Sequence, residues 1–352
     1  MSVQKRREEL TALNLLFCFM VLWSHCSGHP ITVLDHSSWQ YGLMISLQRL
    51  SFVSVSGFFF LSGVKLTLNS ASTPPPSLRR YWAKRMKAIF LPYLLAVAVY
   101  YVYFVSLGYF PFSLGELAGY AIRGDLSAPF YFVIALAQFV LLVPLFRWLP
   151  RRWSPSVLLP ISLGITWLSA LYCNEILGLL IPGAHFAYND RLFTTYLVYY
   201  VGGCCAGQNY PRFLELLDRN RPLLTACALF FAGADLFFSW KFFVSGQSVP
   251  FLEMIHTLYQ LTAIPALFAV AVHHPVTLSP LARRMDRASF LVYLYHSLVI
   301  TWFNDLAWRL GIGRVSVQFL LRVVTVYSLT FLGAMSWQWV LSQVRRPLTL
   351  KL

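Results

Sequence analysis

The chain has 352 residues, 58% of them hydrophobic and only 12% charged, with a mean hydropathy of +0.61. A water-soluble domain carries roughly a quarter charged residues, so this composition excludes an ordinary soluble protein. The net charge of +15 would suit a nucleic-acid partner, but the basic residues sit in short stretches between apolar runs, where they set membrane topology and leave no case for nucleic acid.

Apolar stretches of about 18–25 residues, enough to cross a hydrocarbon core of about 30 Å, recur along the whole length. They predict about ten membrane-spanning segments, over 10–28, 42–64, 88–107, 128–147, 155–174, 191–207, 222–241, 254–273, 288–308 and 316–342. In lipid the backbone must satisfy its own hydrogen bonds, and no short alternating segments suggest a barrel, so these spans are helices. The first run, Leu10 to Ser27, has no small-residue cleavage site and reads as a span rather than a removable signal. The expected fold is an all-α integral membrane protein, one polytopic domain over 1–352.

The basic residues orient it. Lys5, Arg6 and Arg7 precede the first span, and Lys65, Arg79, Arg80, Lys84, Arg85 and Lys87 lie between the second and third. Further groups follow at every second loop: Arg147, Arg151 and Arg152; Arg212, Arg219 and Arg221; Arg283, Arg284 and Arg287; and Arg345, Arg346 and Lys351. This alternation places both termini in the cytoplasm. The segment SASTPPPSLRRYWAKRMKAIF passes from a proline-stiffened turn into a basic helix, with Arg80, Lys84 and Lys87 at helical spacing. It reads either as an interfacial helix on anionic lipid or as a cradle for a phosphorylated cytosolic ligand. The six cysteines lie in or beside apolar runs without CxxC or metal spacing, and read as small buried hydrophobes; no metal or permanently bound cofactor is expected.

Ionisable groups within spans cost roughly 2.5–3.5 kcal/mol each to insert and so mark candidate sites. With the N-terminus inside, His25, Arg49, Asp235, Glu253, His256, Asp305 and Arg322 all fall in the outer half of the membrane, as one outward-opening cavity would require. Structural pairing is the alternative, Asp235 with Arg49 or Asp305 with Arg322. His25 stands out because imidazole takes and returns a proton near neutral pH. His296, in YLYHS, lies nearer the middle and suits a hydrogen-bonded core role as well as a substrate contact. His29, His36 and His185 read as solvated loop residues.

Five stretches, in order along nearly the whole chain, resemble the membrane-bound acyltransferase-3 family, bacterial O-acyltransferases that modify surface polysaccharides. They are ALNLLFCFMVLWSH, RLSFVSVSGFFFLSGVKL with its SG signature, YWAKRMKAIFLPYLL, APFYFVIALAQFVLLVPLF and SFLVYLYHSLVI. The first is similar to a family motif in which arginine precedes histidine by ten intervening residues, but here Asn14 holds the arginine's position before His25. Eleven residues make close to three turns, so both face the same way. Asn14 offers hydrogen bonds without charge, which leaves that charge to Arg49, Arg85 or another cation, or marks a divergent branch.

The resemblance implies O-acyl transfer from cytosolic acyl-CoA, most often acetyl-CoA, to a hydroxyl of a glycan or lipid-linked sugar at the bacterial inner membrane. Lys84, Arg85 and Lys87 would hold the CoA phosphates, and small residues such as Ser62 would let the thioester pass close to backbone. His25 would take the hydroxyl proton or carry the acyl group, with Arg49 at the developing oxyanion. Asn14, Asp235, His296, Asp305 and Arg322 complete the expected substrate contacts, and the partners are membrane lipids and the acceptor. The rival reading is a non-enzymatic transporter or flippase of a glycan precursor or lipid, since buried charges at matched depth also line transport paths.

Overall fold

The computed structural model describes residues 7–68, 77–275 and 277–349, with side chains through residue 343. Lys5, Arg6, the proline-rich turn at 70–76 and Lys351 lie outside the described residues, as do the side chains of Arg345 and Arg346. Among the described residues there is no strand. The helices are α1 (Glu8–Cys26), α2 (Gly28–Val33), α3 (Trp39–Ser51), α4 (Val53–Leu68), α5 (Leu78–Ser106), α6 (Leu114–Arg123), α7 (Tyr131–Leu141) and α8 (Val143–Arg152). They continue with α9 (Pro155–Leu180), α10 (Leu197–Gln208), α11 (Tyr210–Arg219), α12 (Arg221–Phe243), α13 (Leu252–His273), α14 (Pro280–Arg309) and α15 (Val315–Thr349).

Local signals in the sequence set several of these boundaries. Ser38, Ser77, Ser113 and Ser279 each precede a helix and accept a hydrogen bond from a first-turn backbone N–H, satisfying one of the donors that a helix start leaves open. Pro280 follows Ser279 at the first helical position, where its missing N–H removes no bond. Gly124 ends α6 at φ 65°, and Gly311, at φ 64°, makes the turn between α14 and α15, a region that other residues enter with strain.

Among the described residues seven helices are long and apolar enough to cross a membrane, or eight if α6 and the 128–141 segment, bent by 57°, form one broken span. Ten such spans were expected. The segment 191–207 folds instead as two short 3₁₀ turns followed by the 12-residue α10, which reaches only about 18 Å. The segment 288–308 lies within the 30-residue α14 but carries His296, Asn304 and Asp305, and α14 is not among these seven. The lipid-facing character of the rest is visible on α5, where Leu91, Leu94, Leu95, Val99 and Val102 are exposed at helical spacing. A stripe of that kind is stable against hydrocarbon and unstable against water.

The chain divides into two compact units. The first comprises residues 1–54, 221–255 and 262–352, and the second 55–220 and 256–261. In the first, α14 packs on α1 and α15. Asn14 meets Asp286 and Ser289, and His25 meets His296, so α1 and α14 run parallel. Phe19 stacks on Tyr327 while Trp23 meets Phe319, so α15 runs antiparallel to both. Glu8 ties the start of α1 to the start of α14, accepting from the Leu278 backbone N–H and pairing with Arg283 at 2.6 Å.

In the second unit, α4 and α10 meet backbone to backbone. A Cβ added at Gly203 would lie 2.0 Å from the Phe60 carbonyl oxygen, one at Gly63 2.2 Å from the Tyr200 oxygen, and one at Gly207 2.4 Å from the Val64 oxygen. Gly203 and Gly207 form a small-xxx-small pair, the pattern that lets membrane helices approach where no hydrophobic force drives them together. Thr67 Oγ1 then donates to the Cys204 carbonyl at 2.9 Å. An aromatic core covers this contact, with Phe139 stacked on Tyr200 at 4.0 Å and Phe59 on Tyr196 at 4.5 Å.

Gly203→Val should therefore destabilise the protein by about 1–3 kcal/mol through overpacking. Gly164→Ala on α9, where an added Cβ meets nothing within 4 Å, should be neutral or slightly stabilising. Thermal unfolding in detergent separates the two, and equal melting temperatures would remove the close-contact argument.

Candidate active site

The first unit gathers most of the polar residues expected within the membrane. His25 lies in the last turn of α1, partly exposed, and its ring makes no hydrogen bond among the described residues. The ring of His296 on α14 sits 4.8 Å from it, tilted by 50°. His296 is fully buried. Its Nδ1 lies 2.7 Å from the Tyr293 carbonyl and 3.3 Å from that of Val292. Carbonyl oxygens only accept, so Nδ1 carries the proton and Nε2 is left with a lone pair. That Nε2 is buried and has no partner. Buried polar atoms without a partner carry a cost, and what distinguishes His296 is that its ring also lies against that of His25.

Asn14 lies three turns before His25 on α1. Its amide donates to Asp286 Oδ1 at 2.9 Å and Ser289 Oγ at 3.0 Å, so both N–H groups tie α1 to α14. Asp286 is a residue that the sequence did not single out; an arginine at position 14 would face the same carboxylate.

Arg49 was expected beside His25 at a developing oxyanion. The structure places its Nη2 on Asp235 at 3.0 Å and its Nη1 on Glu253 at 2.8 Å. Arg49 and Asp235 are buried, whereas the Glu253 side chain is half exposed. The pairing considered from the sequence, Asp235 with Arg49, is formed, and it joins α3 to α12. The other pairing is not: Arg322 Nε donates to Asn304 Oδ1 at 3.0 Å, not to the neighbouring Asp305. Among the described residues Nη1 and Nη2 of Arg322 are buried without a hydrogen-bond partner. His29, expected in a solvated loop, belongs to the short helix α2 and lines a cavity of about 360 Å³ with Asn304, Trp308 and Gln318.

The remaining expected residues belong to the second unit. Lys84, Arg85 and Lys87 are exposed near the start of α5. The Arg85 guanidinium lies 5.8 Å from the Tyr81 ring centre, and Arg147 of α8 lies 5.0 Å from the same ring. Arg147 thus joins the basic cluster through an aromatic neighbour, which its sequence distance concealed. Ser62 Oγ donates to the Phe58 carbonyl one turn back at 2.8 Å. Gly63 beside it is filled by the α10 backbone, which leaves no space there for a thioester.

The first unit thus holds a pair of imidazoles in contact, and the second an exposed basic cluster near the start of α5. Residues 7–339 match the acyltransferase domain of the acyltransferase-3 family. The chain belongs to that family. It is therefore a multi-pass membrane acyltransferase, and the match runs through the segments of both units. Comparison with curated proteins finds no match, and neither does comparison with solved structures.

In this acyltransferase the Arg49–Asp235 pair is a structural element with a measurable weight. Asp235→Ala leaves a buried guanidinium facing only the half-exposed Glu253, and should destabilise the protein by about 3–5 kcal/mol. Glu253→Gln should cost far less, since that carboxylate is already hydrated. Chemical or thermal unfolding of the two variants checks the order; a larger effect for Glu253→Gln would refute it.

Proposed function

We propose that this acyltransferase moves an acyl group, acetyl above all, from cytosolic acyl-CoA to a hydroxyl of a cell-surface glycan or lipid-linked sugar, in the inner membrane of a bacterium. The observation that carries this reading is the His25–His296 pair, two rings 4.8 Å apart, the second sealed with an unused lone pair. The acceptor hydroxyl attacks the thioester carbonyl carbon as its proton passes to His25. Collapse of the tetrahedral intermediate breaks the carbon–sulfur bond, and the CoA thiolate leaves with the proton that His25 returns. His296, anchored through Nδ1–H to backbone carbonyls, offers Nε2 to orient His25 and to share the charge that develops on it.

Arg85 and Arg147 about Tyr81, with Lys84 and Lys87, supply exposed cations suited to the CoA phosphates. Arg49, neutralised by two carboxylates, keeps a positioning role in this scheme. The parallel packing of α1 and α14 requires an even difference in rank between them. The ten-span topology with both termini cytoplasmic, in which 191–207 crosses and α14 ranks ninth, meets that requirement. With the N-terminus cytoplasmic, His25, His29 and the α14–α15 turn then face outward, the side of a surface glycan.

Turnover of radiolabelled acetyl-CoA by purified protein tests the reading. His25→Ala should lower transfer by about 10²–10⁴-fold, the usual weight of general-base help, while leaving the protein folded. His296→Gln should lower the catalytic rate with a smaller change in acetyl-CoA binding. Near-normal transfer by His25→Ala would remove His25 from the chemistry. Absence of both binding and turnover in folded wild type would favour the transporter or flippase.

A further inference from the structure

Arg322 is a fully buried cation, 1% exposed, in the α15 span. Its Nε bonds to Asn304, its guanidinium carbon lies 5.6 Å from the Phe303 ring centre, and Nη1 and Nη2 have no partner. Arg49, in the same unit, has both terminal nitrogens on carboxylates. A buried guanidinium without an anion is unfavourable, and a protein that keeps one has a use for it. The planar fork matches one chemistry, the two oxygens of a carboxylate or phosphate.

A second, independent observation points to the same place. Among the described residues His29 Nδ1 is also buried without a hydrogen-bond partner. His29 and Asn304 line the cavity of about 360 Å³, and Asn304 thereby belongs both to the cavity wall and to the Arg322 hydrogen bond. The rim passes Gly311 and Gly313, where an added Cβ would meet nothing within 4 Å, so the mouth is open rather than packed. The volume suits a sugar-sized group. Along α14, Asn304 lies eight residues, about 12 Å, beyond His296.

We propose that Arg322, with His29 and Asn304, binds an anionic group, a carboxylate or a phosphate ester, on the acceptor. Arg322 does not itself line the cavity but stands behind Asn304; once the Asn304 side chain moves aside, the anion takes up the vacant Nη1 and Nη2 donors and holds the sugar so that a hydroxyl of the same or the next residue reaches His25. The acceptor class is thus an acidic glycan: a uronic-acid or phosphate-bearing saccharide, not a neutral one. This inference rests on the acyl-transfer reading for the word acceptor, while the anion site itself does not.

The test uses the full chain in nanodiscs of phosphatidylcholine, with methyl glucuronide, glucose 6-phosphate and methyl glucoside as probes. Equilibrium binding of at least one acidic sugar should exceed that of methyl glucoside by about tenfold or more, as expected for a charge-assisted contact. Arg322→Gln should abolish the preference, Arg322→Lys should retain part of it, and ligand-free Arg322→Gln should melt above the wild type because an unpaired buried charge is gone. Equal binding of acidic and neutral sugars by the wild type, a comparison that needs no variant, would overturn the proposal. So would a preference that survives Arg322→Gln.

Discs containing phosphatidylglycerol form the second arm. If that lipid, and neither acidic sugar, raises the wild-type melting temperature through Arg322, the occupant is a lipid headgroup and the acceptor assignment falls. Acetyl-CoA turnover, measured in parallel, separates the two claims. Lost turnover with retained anion preference sinks the enzyme reading, and the reverse sinks only the anion site.

Discussion

Hydrocarbon does not solvate charge, and the first unit is organised around that fact. Arg49 and Asp235 are both sealed from solvent and meet at 3.0 Å, so the attraction between them offsets much of what each loses on leaving water. Glu253 adds a second carboxylate from the rim. The same constraint makes the exceptions informative. Arg322 and His296 are equally buried, yet among the described residues Nη1 and Nη2 of the one and Nε2 of the other have no hydrogen-bond partner, whereas Arg49 leaves only Nε open. Structural pairing accounts for Arg49. It does not account for those two, and both lie on α14 or against it.

Helix α14 is the axis on which the proposed chemistry is arranged. It meets Asn14, His25 and Arg322 in succession, through Asp286 and Ser289, then His296, then Asn304. Because α1 runs parallel to it, these contacts keep a nearly constant offset along the chain. The α1 side of each contact therefore advances with the α14 side, and side chains separated by three turns of one helix find partners separated by a similar distance on the other. Asn14 forms the first of these contacts. A neutral amide bridging Asp286 and Ser289 keeps the register without adding charge.

The second unit solves a different problem. Membrane helices gain little from apolar contact with one another, since lipid is equally apolar. Close approach of α4 to α10 through Gly63, Gly203 and Gly207 replaces that missing force with backbone packing, and the ring stack about Phe139 and Tyr200 surrounds it. The exposed basic cluster near the start of α5 is then carried on a helix whose apolar stripe faces lipid. Tyr81 lets Arg85 and Arg147 gather about one ring, where like charges would otherwise separate.

The sequence by itself determined the class of protein. Apolar runs of membrane length admit only helices, and five ordered stretches carried the family likeness. Hydropathy also found the unusual residues, because an ionisable group in an apolar run is visible without coordinates. Two of the ten expected spans do not stand out as spans by length and apolarity in the structure: 191–207, where the helix proper is short, and 288–308, which carries His296, Asn304 and Asp305. What only the tertiary structure decided is which polar group meets which. Depth counting treated Arg49 and Arg322 alike, yet one is neutralised and the other is not, since pairing depends on the rotation and register of separate helices. The same reason hid Asp286, Asn304 and Arg147, which look ordinary in the chain and gain their roles only from neighbours distant in sequence.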